Sequence, residues 1–174
     1  NDTQYYVRDA VIDYTTAMGI VSPAIEGRLA FITDTTPPVI TINAPQAKNY
    51  LNSDPLTLDF IVTDDIAGVK WVDAELDGVE VTSGQVVNLY LYQSGSTHTL
   101  DVTAMDKAYN TSNASVTFTV GTSIQSMKYV VTSLYNSGQI KSADVYKGLM
   151  DKLQAAVMSK NLGTKINQLN AFIN

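Results

Sequence analysis

Three regimes of hydrophobic patterning succeed one another along the 174 residues. From residue 4 to residue 31 the period is helical. Tyr6, Val7, Ala10, Val11 and Tyr14 share one face, and Met18-Gly19 ends it. Ser22-Pro23 then sets a capping hydroxyl before a proline at the first helical position. Ala24, Ile25, Leu29 and Phe31 make a second, shorter apolar face. A pair of short helices is expected over residues 1–33.

The pattern breaks at Thr33–Pro38, where two consecutive prolines stop a helix and hold the preceding residue extended. Beyond them the period is two. Leu56, Leu58, Phe60 and Val62 alternate with Thr57, Asp59, Ile61 and Thr63. Lys70, Val72, Ala74 and Leu76 alternate with Trp71, Asp73 and Glu75, and the row ends at Asp77-Gly78, a tight-hairpin signal. Val87, Leu89 and Leu91 alternate with Asn88, Tyr90 and Tyr92. His98, Leu100, Val102 and Ala104 form another row, and Ala114, Val116, Phe118 and Val120 the last. About seven short strands separated by turns predict an antiparallel β-sandwich over residues 34–121.

After Gly121 the period returns to about 3.6. Ile124, Met127, Val131 and Leu134 make one stripe, stopped by Asn136-Ser137-Gly138. Ser142 caps a second helix with Val145, Leu149, Leu153 and Val157 on one face. Asn161–Gly163 interrupts it, and Ile166, Leu169, Phe172 and Ile173 complete a third. Residues 122–174 are therefore expected to form a three-helix module. The fold class is a β-sandwich flanked by small α-helical segments.

Composition narrows the functional classes. Hydrophobic residues make up 45% and charged ones 16%, the balance of a core-burying chain. There is no cysteine, which excludes disulfides, thiolate nucleophiles and Cys-based zinc sites. No apolar run approaches the ~18 residues that would span a bilayer. The chain starts at Asn1 without a signal peptide and is expected to be a mature or excised part of something longer. Net charge is −6, unevenly spread: −2 over residues 1–33, −8 over 34–121 and +4 over 122–174. The acidic centre argues against nucleic acid as a partner. A monomer is expected.

The residues also carry family resemblances. Asp34-Thr35-Thr36-Pro37-Pro38, Ala67-Gly68-Val69, Leu76-Asp77-Gly78, Gly95 with His98-Thr99-Leu100, and Asp106-Lys107-Ala108-Tyr109-Asn110 resemble the bacterial immunoglobulin-like (Big-type) modules of large secreted enzymes and adhesins. That family usually has glycine where Tyr109 stands. Gly138-Gln139-Ile140, Lys152-Leu153 and Asn167-Gln168-Leu169-Asn170-Ala171-Phe172-Ile173 resemble the helical module "found in many architectures" (FIMAH). Together the resemblances imply a non-catalytic accessory region, a spacer, docking surface and stabiliser beside neighbouring domains, of an extracellular, Gram-positive multidomain enzyme that is secreted or cell-wall associated. Two alternatives stay open: a carbohydrate-binding module that targets an attached hydrolase, and a repeat unit of an adhesin stalk.

Candidate chemistry is sparse. The single histidine, His98, lies in a core row, with no serine and carboxylate spaced around it as a triad requires, so no enzyme activity is expected. Trp71, Tyr90 and Tyr92 alternate with their core rows, so their rings are expected to project outward near Asp73 and Glu75. Flat rings beside carboxylate acceptors suit stacking on the pyranose faces of a polysaccharide. Lys141, Lys147, Lys152, Lys160 and Lys165 could face an anionic cell-wall polymer, or simply solvate the helices.

The last candidate is a calcium site, and it follows from topology. In such a sandwich the first strand begins at the pole where the second ends and the sixth turns into the seventh. Asp34, Asp64, Asp65, Asp106 and Asn110 are therefore expected to meet there. Ca²⁺ takes six to eight oxygens from carboxylates, amides and backbone carbonyls, and this set could supply most of them.

Overall fold

The computed structural model describes residues 5–7 and 31–173. Eleven strands and three helices follow in order among them: β1 (Tyr5–Val7), β2 (Phe31–Thr33), β3 (Val39–Ala44), β4 (Asn49–Leu51), β5 (Leu56–Thr57), β6 (Asp59–Thr63), β7 (Val69–Leu76), β8 (Val79–Glu80), β9 (Val86–Val87), β10 (Ser96–Asp106), β11 (Thr111–Gly121), α1 (Ile124–Asn136), α2 (Ala143–Met158) and α3 (Leu162–Ile173). Strands β4, β11, β10, β7 and β8 are hydrogen-bonded in that order, β3 pairs with β6, and β5 pairs with β9. The fold is an immunoglobulin-like β-sandwich with helical segments. No described helix is long and apolar enough to cross a membrane.

The described residues fall into two compact units. The first contains those up to Ala44 together with Asp59–Gly84 and Thr99–Val116. Here β3 and β6 run antiparallel, Val39 opposite Thr63 through Ile42 opposite Phe60. β7 and β10 do likewise, Leu76 opposite Leu100 and Ala74 opposite Val102. Alternation drives this pairing, because Ala74, Leu76, Leu100, Val102 and Ala104 turn one way and are buried. Asp77 and Gly78 both take positive φ, 53° and 78°, which is the mirror-image turn that matches the twist of the β7–β8 hairpin. Asp77 also holds the neighbouring strand: its Oδ1 accepts from Thr99 N at 2.9 Å.

β1 lies in parallel register with β2, Tyr5 opposite Phe31. This corrects the expectation that a helical face starts at Tyr6 and another ends at Phe31. Aromatic and β-branched residues such as Tyr5-Tyr6-Val7 and Phe31-Ile32-Thr33 favour extended backbone once a partner strand is available. The rest of the expected helical pair, residues 8–30, lies outside the described residues.

The second unit contains Pro45–Leu58, Gln85–His98 and the chain from Thr117 onward. Its sandwich part is centred on Phe118, 1% exposed, whose ring meets Tyr50 edge-on at 5.6 Å and His98 at 5.5 Å. β5 pairs with β9, Leu56 opposite Val87. The row expected to run from Val87 to Leu91 is corrected here. After two residues of strand the chain makes a 3-10 turn at Leu89–Leu91, which buries Leu89 and leaves Leu91 exposed. Two alternating leucines do not distinguish a strand from a short turn that buries only one of them.

The three helices follow in the expected order, but α3 begins at Leu162, inside the break expected at Asn161–Gly163. At α1, Ser123 Oγ accepts from Ser126 N at 3.0 Å while Ser126 Oγ accepts from Ser123 N at 2.8 Å, a reciprocal cap. Gly138, at φ 76°, ends the helix, with Gln139 N donating to Leu134 O at 2.9 Å. Ser142 Oγ accepts from Val145 N at 3.3 Å to start α2. The buried face of α2 centres on Leu153 and Ala156, however, and Val145 and Val157 are exposed. The stripe seen in the sequence was rotated, because apolar residues on two adjacent faces of an amphipathic helix allow more than one choice of inner side.

Candidate functional site

Three carboxylates converge in the first unit. Asp34 follows β2, Asp64 follows β6, and Asp106 is the last residue of β10. One carboxylate oxygen from each lies within 4.8 Å of the others. Asp34 and Asp106 are 1% and 0% exposed, and Asp64 is half-buried. Sequence dictates the entry of the first: Pro37-Pro38 forces extended chain into β3, so Asp34 precedes the strand at its beginning.

Backbone amides orient each carboxylate. Asp34 accepts from Thr36 N at 2.9 Å through Oδ1 and from Ala67 N at 3.0 Å through Oδ2. Asp64 Oδ1 accepts from Gly68 N at 2.6 Å and Ile66 N at 3.3 Å. Asp106 Oδ1 accepts from Asn110 N at 2.8 Å. Gly68, at φ 76°, provides the backbone reversal that turns its N–H toward Asp64.

Asn110 belongs to the cluster as a donor. Its Nδ2 donates to Asp106 Oδ2 at 2.8 Å and to the backbone oxygen of Asp34 at 3.0 Å. Both partners are pure acceptors, so only the amide's NH₂ side satisfies them. Asn110 thus ties the loops together and does not offer its oxygen, unlike the ligand role expected for it. Asp65 is exposed and is not among the converging groups. Asp64 is held inward by the amides of Ile66 and Gly68, whereas Asp65 lies in the bend that follows β6.

The donor set fits a hard divalent cation. Two oxygens on one Ca²⁺, each 2.3–2.6 Å from it, are separated by no more than about 5 Å, and the three carboxylates meet that limit. Each carboxylate keeps at least one lone-pair site beyond the amides that hold it, on Asp64 that of Oδ2. Tyr109 stands beside the site at φ 68°, a left-handed conformation in which glycine is common. Its exposed ring is covered by Lys70, whose Nζ lies 3.7 Å from the ring centroid.

The aromatic candidates divide. Trp71, 38% exposed, stands with the exposed Asp73 and Glu75 on one face of β7. The cross-strand residues of that face are Met105, Thr103 and Asp101. Tyr90 and Tyr92 do not continue any such strand row, since the 3-10 turn intervenes. Tyr92 packs against the ring of His98 at 3.9 Å, and Tyr90 is half-buried.

His98 is 8% exposed, between Tyr92 and Phe118. Its Nε2 lies 2.6 Å from Ser96 Oγ, a pairing the sequence reading did not include although residues two apart on a strand share a face. The pair is part of an aromatic core. Lys141, Lys147 and Lys160 are exposed, whereas Lys152 and Lys165 are half-buried, so the five do not present one uniform basic face.

No family model matches the chain, and no curated protein does. Among solved structures it is similar to the fibronectin(III)-like modules of Clostridium thermocellum CbhA, at 18% identity and TM-score 0.39, covering 53% of this chain and 51% of that one. It is similar to the SrpA adhesin of Streptococcus sanguinis at 20% identity and TM-score 0.38, covering 53% and 62%. A third similarity is to SGBP-B of a Bacteroides ovatus mixed-linkage glucan utilization locus, in complex with a mixed-linkage heptasaccharide, at 17% identity and TM-score 0.33, covering 49% and 25%. The chain spans about half to three fifths of the first two.

Proposed function

We propose that the chain is a non-catalytic accessory region of an extracellular multidomain enzyme, a Big-type sandwich with a FIMAH-like helical module, serving as spacer, docking surface and stabiliser. The observation that carries this reading is the convergence of Asp34, Asp64 and Asp106 on loops from three distant segments. Such a cluster suits joint-stiffening better than catalysis. Asp34 and Asp106 are enclosed and clamped by backbone amides, which fixes the segments they come from. Ca²⁺, held by these three carboxylates, would supply the positive charge that binds the segments into one rigid end.

Calcium should therefore raise the melting temperature of the chain, by an amount equivalent to about 2.7 kcal/mol at a hundredfold excess over Kd. Asp64→Ala, at the half-buried position, should remove that rise while leaving the sandwich folded. The measurement is thermal unfolding in chelator against millimolar calcium. An unchanged midpoint across the titration would refute the cation site.

A carbohydrate-binding role is supported by a separate observation, the exposed Trp71 beside Asp73 and Glu75. If this face holds glycans, Trp71→Ala should abolish retention on insoluble polysaccharide and change stability by less than about 1 kcal/mol, as expected for an exposed position. Loss of the fold in that variant would mean the indole is structural.

A further inference from the structure

Strand β6 has a hydrogen-bonded strand on one side only. It pairs with β3, from Val39 opposite Thr63 to Ile42 opposite Phe60. On its other edge it is met by a side chain: Phe60 N donates to Ser83 Oγ at 3.0 Å. Backbone groups of a strand alternate between its two edges, so those of Val62 point the same way as those of Phe60. Just before β6 that edge is filled, since Leu58 N donates to Gln85 O at 2.9 Å. The pairing stops there. Among the described residues no strand continues along Val62, whose N–H and C=O form an open edge.

The inner row of β7 loses its cover in the same unit. Leu76 and Ala74 are 6% and 4% exposed, but Val72 on that row is 42% exposed. A cavity of about 140 Å³ lies beside it, lined by Phe60, Val72, Ala74, Val81 and Ser83. That is too small for a drug-sized ligand, which needs roughly 300 Å³ or more. An added strand bonded to Val62 would run about 4.8 Å from β6 and turn every second side chain toward this cavity. One occupant meets both observations. Extended polypeptide completes the ladder with its backbone and covers Val72 with an apolar side chain.

Charge selects among strands. Asp59 and Asp65, both exposed, flank the open stretch, and residues 59–69 contain no lysine or arginine. This disfavours a second copy. In the antiparallel register where two Val62 residues exchange hydrogen bonds, Asp59 of each copy would face Asp65 of the other. Lysine or arginine at those positions would be attracted instead.

We propose that the open edge of β6 takes up a strand from another polypeptide, with aliphatic residues facing the cavity and lysine or arginine on its flanks. The inference rests on the docking role proposed above and gives that role a partner of stated chemistry. The carboxylate cluster has no part in it.

The probe is a capped peptide of about eight residues in which valine and lysine alternate. In the free chain Val62 N–H should exchange with solvent faster than Ile61 N–H, which points toward β3. Titration of the full chain with the peptide should shift the amide NMR signals of Phe60, Val62 and Val72 and slow exchange at Val62. The same peptide N-methylated at every residue, or with glutamate for lysine, should bind about tenfold more weakly or not at all. Val62→Pro removes the open N–H without breaking the β3 ladder and should abolish binding. Val72→Lys, at an exposed position, puts a charge at the cavity and should weaken binding about tenfold. The proposal is overturned if the lysine peptide does not bind, if either control binds equally, or if binding survives both variants. Protection of Val62 N–H in the free chain would also overturn it, and protection that grows with protein concentration would assign the edge to a second copy. Calcium-dependent melting of the same samples tests the accessory reading separately.

Discussion

Phe118→Ala should lower the unfolding free energy by about 3–5 kcal/mol, the range for truncating a fully buried aromatic. Phe118 is 1% exposed and its ring contacts two others, Tyr50 at 5.6 Å and His98 at 5.5 Å. Removing it takes away the apolar area it buries and also leaves a void between groups that cannot easily close. Tyr50 is fixed by its hydroxyl, which accepts from Gln46 N at 2.9 Å, and His98 by Ser96 at 2.6 Å. The edge-on contact with Tyr50, at an interplanar angle of 80°, contributes a further 0.5–1.5 kcal/mol or so beyond area. Denaturant titration checks this through a shifted midpoint at unchanged slope. A loss below about 1.5 kcal/mol would show that the site collapses, and that Phe118 is not the centre of this core.

Asn110→Ala should cost about 3 kcal/mol, although it deletes only a small polar group. Two acceptors lose their donor together: Asp106 Oδ2 at 2.8 Å, in a residue that is 0% exposed, and the Asp34 backbone oxygen at 3.0 Å. A buried carboxylate left without its partner is the costly part, since hydrogen bonds to charged groups contribute about 1.5–3 kcal/mol each. Asn110→Asp separates structure from cation binding. It keeps the shape but replaces the donor with a fourth carboxylate, so without divalent ions it should be at least as destabilising as the alanine variant. Added calcium should stabilise both variants through the three carboxylates, and the aspartate variant by more, because only the aspartate adds an oxygen ligand. Unfolding of both variants in chelator and in millimolar calcium gives the comparison. Equal response of the two to calcium would remove Asn110 from the neighbourhood of any bound ion.

Much of the architecture follows from patterns that act over a few residues. Ala74 and Leu76, then Leu100, Val102 and Ala104, turn inward because strand side chains alternate, and a single buried face requires one register. Asp77-Gly78 makes its hairpin because both positions tolerate positive φ. Ser142 and Gly138 bound their helices by satisfying, or releasing, terminal backbone groups. Even the approach of Asp34, Asp64 and Asp106 could be anticipated, since it depends only on which strand ends share a pole.

Other features required the tertiary structure. Period-two patterning around Leu58 reads as one strand. In the fold, Leu56–Thr57 pairs with β9 and Asp59–Thr63 with β3, because alternation reports which side is buried and not which partner is bonded. Tyr90 and Tyr92 looked equivalent to Trp71, yet a 3-10 turn redirects them, a choice made by what Leu89 can bury. The inward side of α2 was decided by neighbouring helices, and the strands at Tyr5 and Phe31 by each other. Asn110's role as donor depends on two acceptors 4 and 76 residues away. The sequence alone thus determined periods, caps and turns, which are local backbone energetics. Partners, facing and hydrogen-bond direction were decided only when distant segments competed to bury the same surface and to satisfy the same polar groups.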